Sequence, residues 1–194
     1  MTEMRIKPDR RAELLHAGRT VLAEKGFEAT TIAEIVTRAG VAQGTFYLYF
    51  TSKASLVIAL TLEMNEQIAT SVRRVTTDAS SAAEVVERGV TAAFAQFASY
   101  RDILPILHSR TVFDHVSMSR EEQFYIFHQL IADLIRQRQD IGDIAPTIHP
   151  DITARLISGL INHAADECYL YDADTPEEVY RLETIHFIQR ALGI

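Results

Sequence analysis

Apolar residues recur at helical spacing along almost the whole chain. Leu14, Ala17 and Val21 share one face of a first helix that starts near Pro8, where proline suits an opening turn, and stops at Gly26. Ile32, Ile35, Val36 and Ala39 stand at offsets 0, 3, 4 and 7, the stripe of a second buried helix. Thr31 and Glu34 have the spacing of a capping box, in which hydroxyl and carboxylate each satisfy an amide that the helix start leaves unpaired. Gly40 ends this helix, since glycine takes the left-handed conformation at little steric cost. A third helix begins about Ala42, with Val41 and Phe46 placed as a hydrophobic staple. Thr51 or Ser52 caps a long fourth helix running toward Asp78 through Leu56, Leu60 and Ile68. Further helices are predicted at 81–100, 103–113, 120–139, 151–171 and 176–192, with the clearest loop at 140–150. No alternating apolar run argues for a strand. The pattern predicts an all-α protein of about nine helices, with a three-helix helix-turn-helix head over 1–53 and a larger helical body over 54–194.

Composition narrows the class. Hydrophobic residues make up 47% and charged residues 23% of 194, the balance of a soluble globular chain with a substantial core. No apolar stretch approaches the roughly 18 residues that span a bilayer, and residues 1–11 lack the apolar centre of a secretory signal. The single cysteine, Cys168, precludes an internal disulfide framework and fits a reducing cytoplasm. The expectation is a cytoplasmic protein with no membrane partner. The net charge of −7 is unevenly spread. Residues 1–53 carry eight Lys and Arg against six Asp and Glu, a net +2, which leaves −9 for the remainder. A mildly basic head on an acidic body suits a phosphate-facing end, although chance fluctuation in a short segment gives the same numbers.

The candidate chemistry lies in the stretch from Thr30 to Lys53, TTIAEIVTRAGVAQGTFYLYFTSK. Two short helices joined by Ala39, Gly40 and Val41 make a corner whose second helix can enter a major groove about 12 Å wide. Phe46 and Phe50, four apart, face inward against Ile35 and Val36. Gln43, Gly44, Thr45, Tyr47, Leu48 and Tyr49 are left on or near the outer side. Gln43 can pair with adenine through both amide atoms, and Thr45 can meet a base edge or a phosphate. Gly44 permits close backbone approach to a duplex. Tyr47, Tyr49 and Lys53 are the phosphate candidates, and Thr31 offers its amide or hydroxyl. The blander readings are that both tyrosines pack against the head and that Lys53 is a solvated charge.

The same stretch resembles the DNA-binding head of the TetR family of bacterial repressors. Its Thr-Thr pair, apolar-periodic helix, Ala-Gly-Val, Gly-Thr-Phe-Tyr, Tyr-Phe and Ser-Lys are the family's pattern. Ala33 departs from it where a polar or basic residue often reaches DNA, and Ala42 replaces the common serine cap, which should cost on the order of 1 kcal/mol. The resemblance implies a homodimeric, ligand-responsive repressor bound to double-stranded, palindromic operator DNA and released by a small, largely apolar effector.

In the body, Ile152, Leu156, Gly159, Leu160 and Ala164 form one candidate dimer stripe, and Val179, Leu182, Ile185 and Ile188 another; ordinary intrachain core is the alternative. Polar residues on apolar stretches, Gln96, Tyr100, His108, Arg110, Tyr125, His128, His163 and Asp166, are candidates for lining an effector cavity beside Phe94, Phe97, Phe113 and Phe124. Each taken singly also suits a surface or a satisfied core site. No cofactor is expected. Glu183 and His186 make one Glu-x-x-His pair, whereas a metal-binding bundle enzyme needs two pairs and further carboxylates. A protein–protein adaptor on the same fold is the other alternative, and salt-dependent binding to duplex DNA separates it from a repressor.

Overall fold

The computed structural model describes residues 9–109 and 120–194. Among them are nine α-helices and no strand. These are α1 (Arg10–Ala29), α2 (Ile32–Ala39), α3 (Gln43–Tyr47), α4 (Lys53–Thr76), α5 (Ala82–Ser99), α6 (Leu104–Leu107), α7 (Arg120–Asp140), α8 (Pro150–Asp166) and α9 (Glu177–Leu192). The chain divides into two compact units, Met1–Thr61 with Pro105–Ser117, and Leu62–Leu104 with Met118–Ile194. The predicted start at Pro8 and most of the predicted helix at 103–113 beyond α6 involve residues outside those described.

In the first unit, α1 begins at Asp9, whose carboxylate accepts the amides of Arg11 and Ala12 at 3.1 and 3.2 Å. Leu14, Leu15, Ala17, Val21 and Leu22 are buried along its inner face. Gly18 sits against Leu56 of α4 so closely that a Cβ there would fall 2.7 Å from Leu56 Cδ2. The predicted stop at Gly26 appears as a kink, with φ 76° and ψ 172°, after which one further turn runs to Ala29. The capping box of α2 is complete: Thr31 donates from its amide and hydroxyl to Glu34, and the Glu34 amide donates back to Thr31 Oγ1. Gly40 terminates α2 in the left-handed region, φ 65°, and the Val41 amide bonds to the Val36 carbonyl at 3.0 Å. Ser52 and Ser55 exchange amide-to-hydroxyl bonds at the start of α4.

In the second unit, α7 packs along α8, and α9 packs against α5 and α8. Arg138 and Gln139 hold the loop after α7. The Gln139 amide group donates to the carbonyls of Ala145 and Ile148 at 3.0 and 2.8 Å, and Arg138 reaches Ala79 O and Asp143. Pro150 opens α8 without sacrificing a needed donor. The helix predicted at 151–171 is realised in two parts, because a π turn (Glu167–Tyr171) follows α8. Among the described residues no helix is long and apolar enough to cross a membrane, and no three His, Cys, Asp or Glu gather as a metal-binding group.

Glu34 carries the acid sensitivity of the α2 start. Its hydrogen bond from the Lys25 ammonium, then those from Thr31, hold its carboxyl down at about 2 instead of the ordinary 4.5. A depressed carboxylate stabilises the fold above its unfolded value and loses that contribution as pH falls toward the folded one. Acid unfolding of the wild type should therefore steepen between about 4.5 and about 2. Glu34→Gln should flatten this window in a circular-dichroism pH titration.

Candidate nucleic-acid interface and effector cavity

The five residues of α3 are held from beneath. Phe46 is fully buried and Phe50 nearly so, with ring centroids 5.5 Å apart. Tyr47 stands edge-on to Phe46, centroids 5.6 Å apart and planes at 84°, yet remains 52% exposed. Leu48 is 80% exposed, Tyr49, Gln43 and Gly44 are exposed, and Thr45 is half-buried. The structure thus brings Gln43, Gly44, Thr45, Tyr47 and Tyr49 onto one accessible edge, with Leu48 at its tip. Ala42 supplies no side-chain cap to α3. A Cβ at Gly44 would meet nothing within 4 Å, so internal packing does not require glycine there.

Two of the expected phosphate contacts already have partners within the head. Thr31 is exposed, but its amide and hydroxyl are both given to Glu34, at 3.0 and 2.9 Å. Lys53 is half-buried and engaged within the head. Its ammonium donates to the carbonyls of Phe27, Glu28 (3.4 Å) and Thr30 (2.7 Å) and lies 4.3 Å from the Phe27 ring centroid. Three carbonyls at the end of α1 are closed by one side chain from the start of α4. Burial pushes the Lys53 ammonium below its usual pKa, opposed by the nearby Glu28 carboxylate.

Sequence reasoning also missed the ion pairs that tie α1 to α2. Lys25 pairs with Glu34, and Arg38 grips Glu24 through both guanidinium nitrogens at 2.8 and 2.7 Å. Arg11 lies 5.8 Å from the centroid of Phe50. With α3 itself uncharged, its exposed edge offers hydroxyls, an amide and backbone donors instead of cations.

In the body, Tyr100 is buried, with its hydroxyl 3.4 Å from a Glu63 oxygen. Gln96, His108 and Asp166 are half-buried, and His128 lies beside Phe124 with centroids 6.2 Å apart. Tyr125 and His163 are corrected as lining candidates, because both are exposed. His163 falls on the outer face of α8 with Ile152, Leu156 and Gly159 and approaches Glu167 at 4.0 Å. Arg110 and Phe113 lie outside the described residues. Cys168 is half-buried in the π turn, and burial with the Glu177 and Asp172 carboxylates pushes its thiol pKa up.

A cavity of about 60 Å³ does occur in the second unit, but none of the expected polar residues lines it. Its walls are aliphatic side chains of α4, α5, α7, α8 and α9, with Phe127 and Arg138.

The candidate dimer stripes divide by burial. Ile152, Leu156, Gly159, Val179 and Leu182 are exposed, Leu156 by 69%, and Leu160 is half-buried. Ala164, Ile185 and Ile188 are corrected: they are buried in the chain's own core. Phe187, 63% exposed, is an apolar surface residue that the sequence reading omitted.

Residues 14–60 match a family model described as bacterial regulatory proteins of the tetR family, and residues 86–192 match one described as a tetracyclin repressor-like C-terminal domain. The HTH-type transcriptional regulator YvdT of Bacillus subtilis (strain 168) is 29% identical over 183 residues, covering 93% of this chain and 94% of its own. The HTH-type transcriptional repressor KstR2 of Mycolicibacterium smegmatis is 26% identical over 155 residues, covering 76% and 74%. The fatty acid degradation regulator FadR from Bacillus halodurans has the same fold, with TM-score 0.74 at 19% identity over 91% of this chain and 96% of its own. FadR from Bacillus subtilis, solved in complex with stearoyl-CoA, gives TM-score 0.74 at 17% identity over the same shares.

The clasp at the end of α1 yields a discriminating prediction. Lys53→Met should destabilise the protein by about 1–3 kcal/mol in urea unfolding, because half-buried carbonyls lose their donor. If Lys53 served phosphate alone, stability would hold and only the salt dependence of DNA binding would fall, by about one unit of slope.

Proposed function

This chain belongs to the TetR family of bacterial regulatory proteins, and we propose that it is a repressor that binds a near-palindromic operator as a homodimer and leaves it when an apolar effector occupies the body. The observation that carries the reading is the accessible edge Gln43–Tyr49 on a short helix whose phenylalanine is wholly buried. Such an edge fits a major groove, with Gln43 and Thr45 at base edges and the Tyr47 and Tyr49 hydroxyls at phosphates. Residues 1–53 form the DNA-binding domain in this reading, and 54–194 the effector-binding and dimerisation domain.

Two-fold pairing supports recognition of two half-sites about 34–36 Å apart. The exposed apolar residues Ile152, Leu156, Val179, Leu182 and Phe187 on α8 and α9 suit burial against a second copy. KstR2 is named a repressor, and the solved FadR complex holds an acyl-CoA; both support effector-controlled repression here. Occupancy of the body would favour a conformation in which α4 moves and the paired heads no longer match the half-site spacing. A coupling of about 1–3 kcal/mol weakens DNA binding roughly 5- to 150-fold.

Gel-shift titrations on the DNA upstream of the coding sequence test the reading. Affinity should fall steeply with salt through counterion release, and a flat response would favour an adaptor instead. Gln43→Ala should relax preference at one base position by about 1–3 kcal/mol, while Tyr47→Phe should weaken all sequences alike. Leu156→Glu should convert the dimer to monomer in sedimentation velocity and reduce operator affinity toward the non-specific level, on the order of 10³-fold.

A further inference from the structure

The cavity among α4, α5, α7, α8 and α9 is walled by hydrocarbon, including Val72, Val85, Ile131 and Ile188. One charged side chain, Arg138, joins the lining, and its guanidinium is already engaged. Nη2 donates to the Ala79 carbonyl at 2.6 Å, and Nη1 donates to Asp143 Oδ2 at 3.3 Å. That same Asp143 oxygen accepts the amide of Ala82 at 3.1 Å, at the start of α5. A carboxylate entering here would have to displace Asp143 from both donors, or stand beside it as a like charge. An ammonium would face Arg138. Either ion would also lose its hydration against walls that return no hydrogen bond. An uncharged apolar group has none of these costs.

Size limits the occupant as well. At about 15 Å³ for each water-sized site, 60 Å³ corresponds to roughly four heavy atoms. Val86, Leu134 and Ile157 in the lining are only half-buried, which leaves an entrance on that side, and a neutral hydroxyl drawn in loses far less than an ion on leaving water. We propose that this cavity binds an uncharged aliphatic molecule, a short alkanol being the representative, and that it discriminates against the carboxylate and the amine of equal chain length. Its regulatory meaning rests on the effector reading above; the binding itself does not.

Calorimetric titration of the full chain with 1-hexanol, hexanoate and hexylammonium tests this. Hexanol should bind, with affinity tightening about fourfold per methylene from ethanol to butanol and levelling off toward hexanol once the added carbons outrun the cavity, and both ions should bind at least tenfold more weakly. Methyl resonances of Val85, Ile131 and Ile188 in the wild-type protein should move on adding hexanol. Val86→Phe, which narrows the open side, should weaken hexanol binding at least tenfold. Hexanoate binding as tight as that of hexanol overturns the proposal, as do unmoved methyl resonances at saturating alcohol. Hexanol bound in the cavity while the operator complex persists would count against effector release and leave the cavity assignment standing.

Discussion

Everything the head can do depends on two phenylalanines holding down a helix too short to stand alone. A five-residue helix makes too few hydrogen bonds to offset its nucleation, and Ala42 gives α3 no side-chain cap. Burial of Phe46 and Phe50, worth about 1.5–3 kcal/mol each, fixes its position instead. The same anchoring decides what is presented. With both rings facing inward, Gln43, Tyr47, Leu48 and Tyr49 have no inner surface left to cover.

The rest of the head supports that arrangement with charge. Cations of the described head are drawn into its own framework: Lys25 to Glu34, Arg38 to Glu24, Arg10 to Glu13 and Lys53 to the last carbonyls of α1. The exposed ion pairs are individually weak, but Lys25–Glu34 and Arg38–Glu24 join α1 to α2, the two helices behind α3. The exposed edge of α3 is itself uncharged, so in the proposed complex it would contribute hydroxyls, an amide and shape, and the salt dependence would come from the cations around it.

The fold was legible wherever the deciding partners are close in sequence. The Thr31–Glu34 box, the Gly40 terminus and the inward Phe46–Phe50 pair each depend on spacings of ten residues or fewer, and each appears as read. The Lys53 clasp was not legible because its carbonyl partners lie 23 to 26 residues away and become a target only after α1 and α4 pack. On α9, periodicity identifies Leu182 and Ile185 equally as apolar, whereas burial separates an exposed Leu182 from a core Ile185. On α8, His163 interrupts an apolar run because it stands on the outer face, not because it points into a cavity. A polar residue among apolar ones marks a change of face as readily as a binding site.

In the proposed repressor the Gln43–Tyr49 edge is the surface that meets DNA. Backbone amide resonances followed during titration with an operator duplex test it most directly. The largest shifts should fall at residues 43–49, at salt concentrations where the complex forms. Shifts confined to the Lys25, Glu34 and Arg38 face, with 43–49 unmoved, would contradict it.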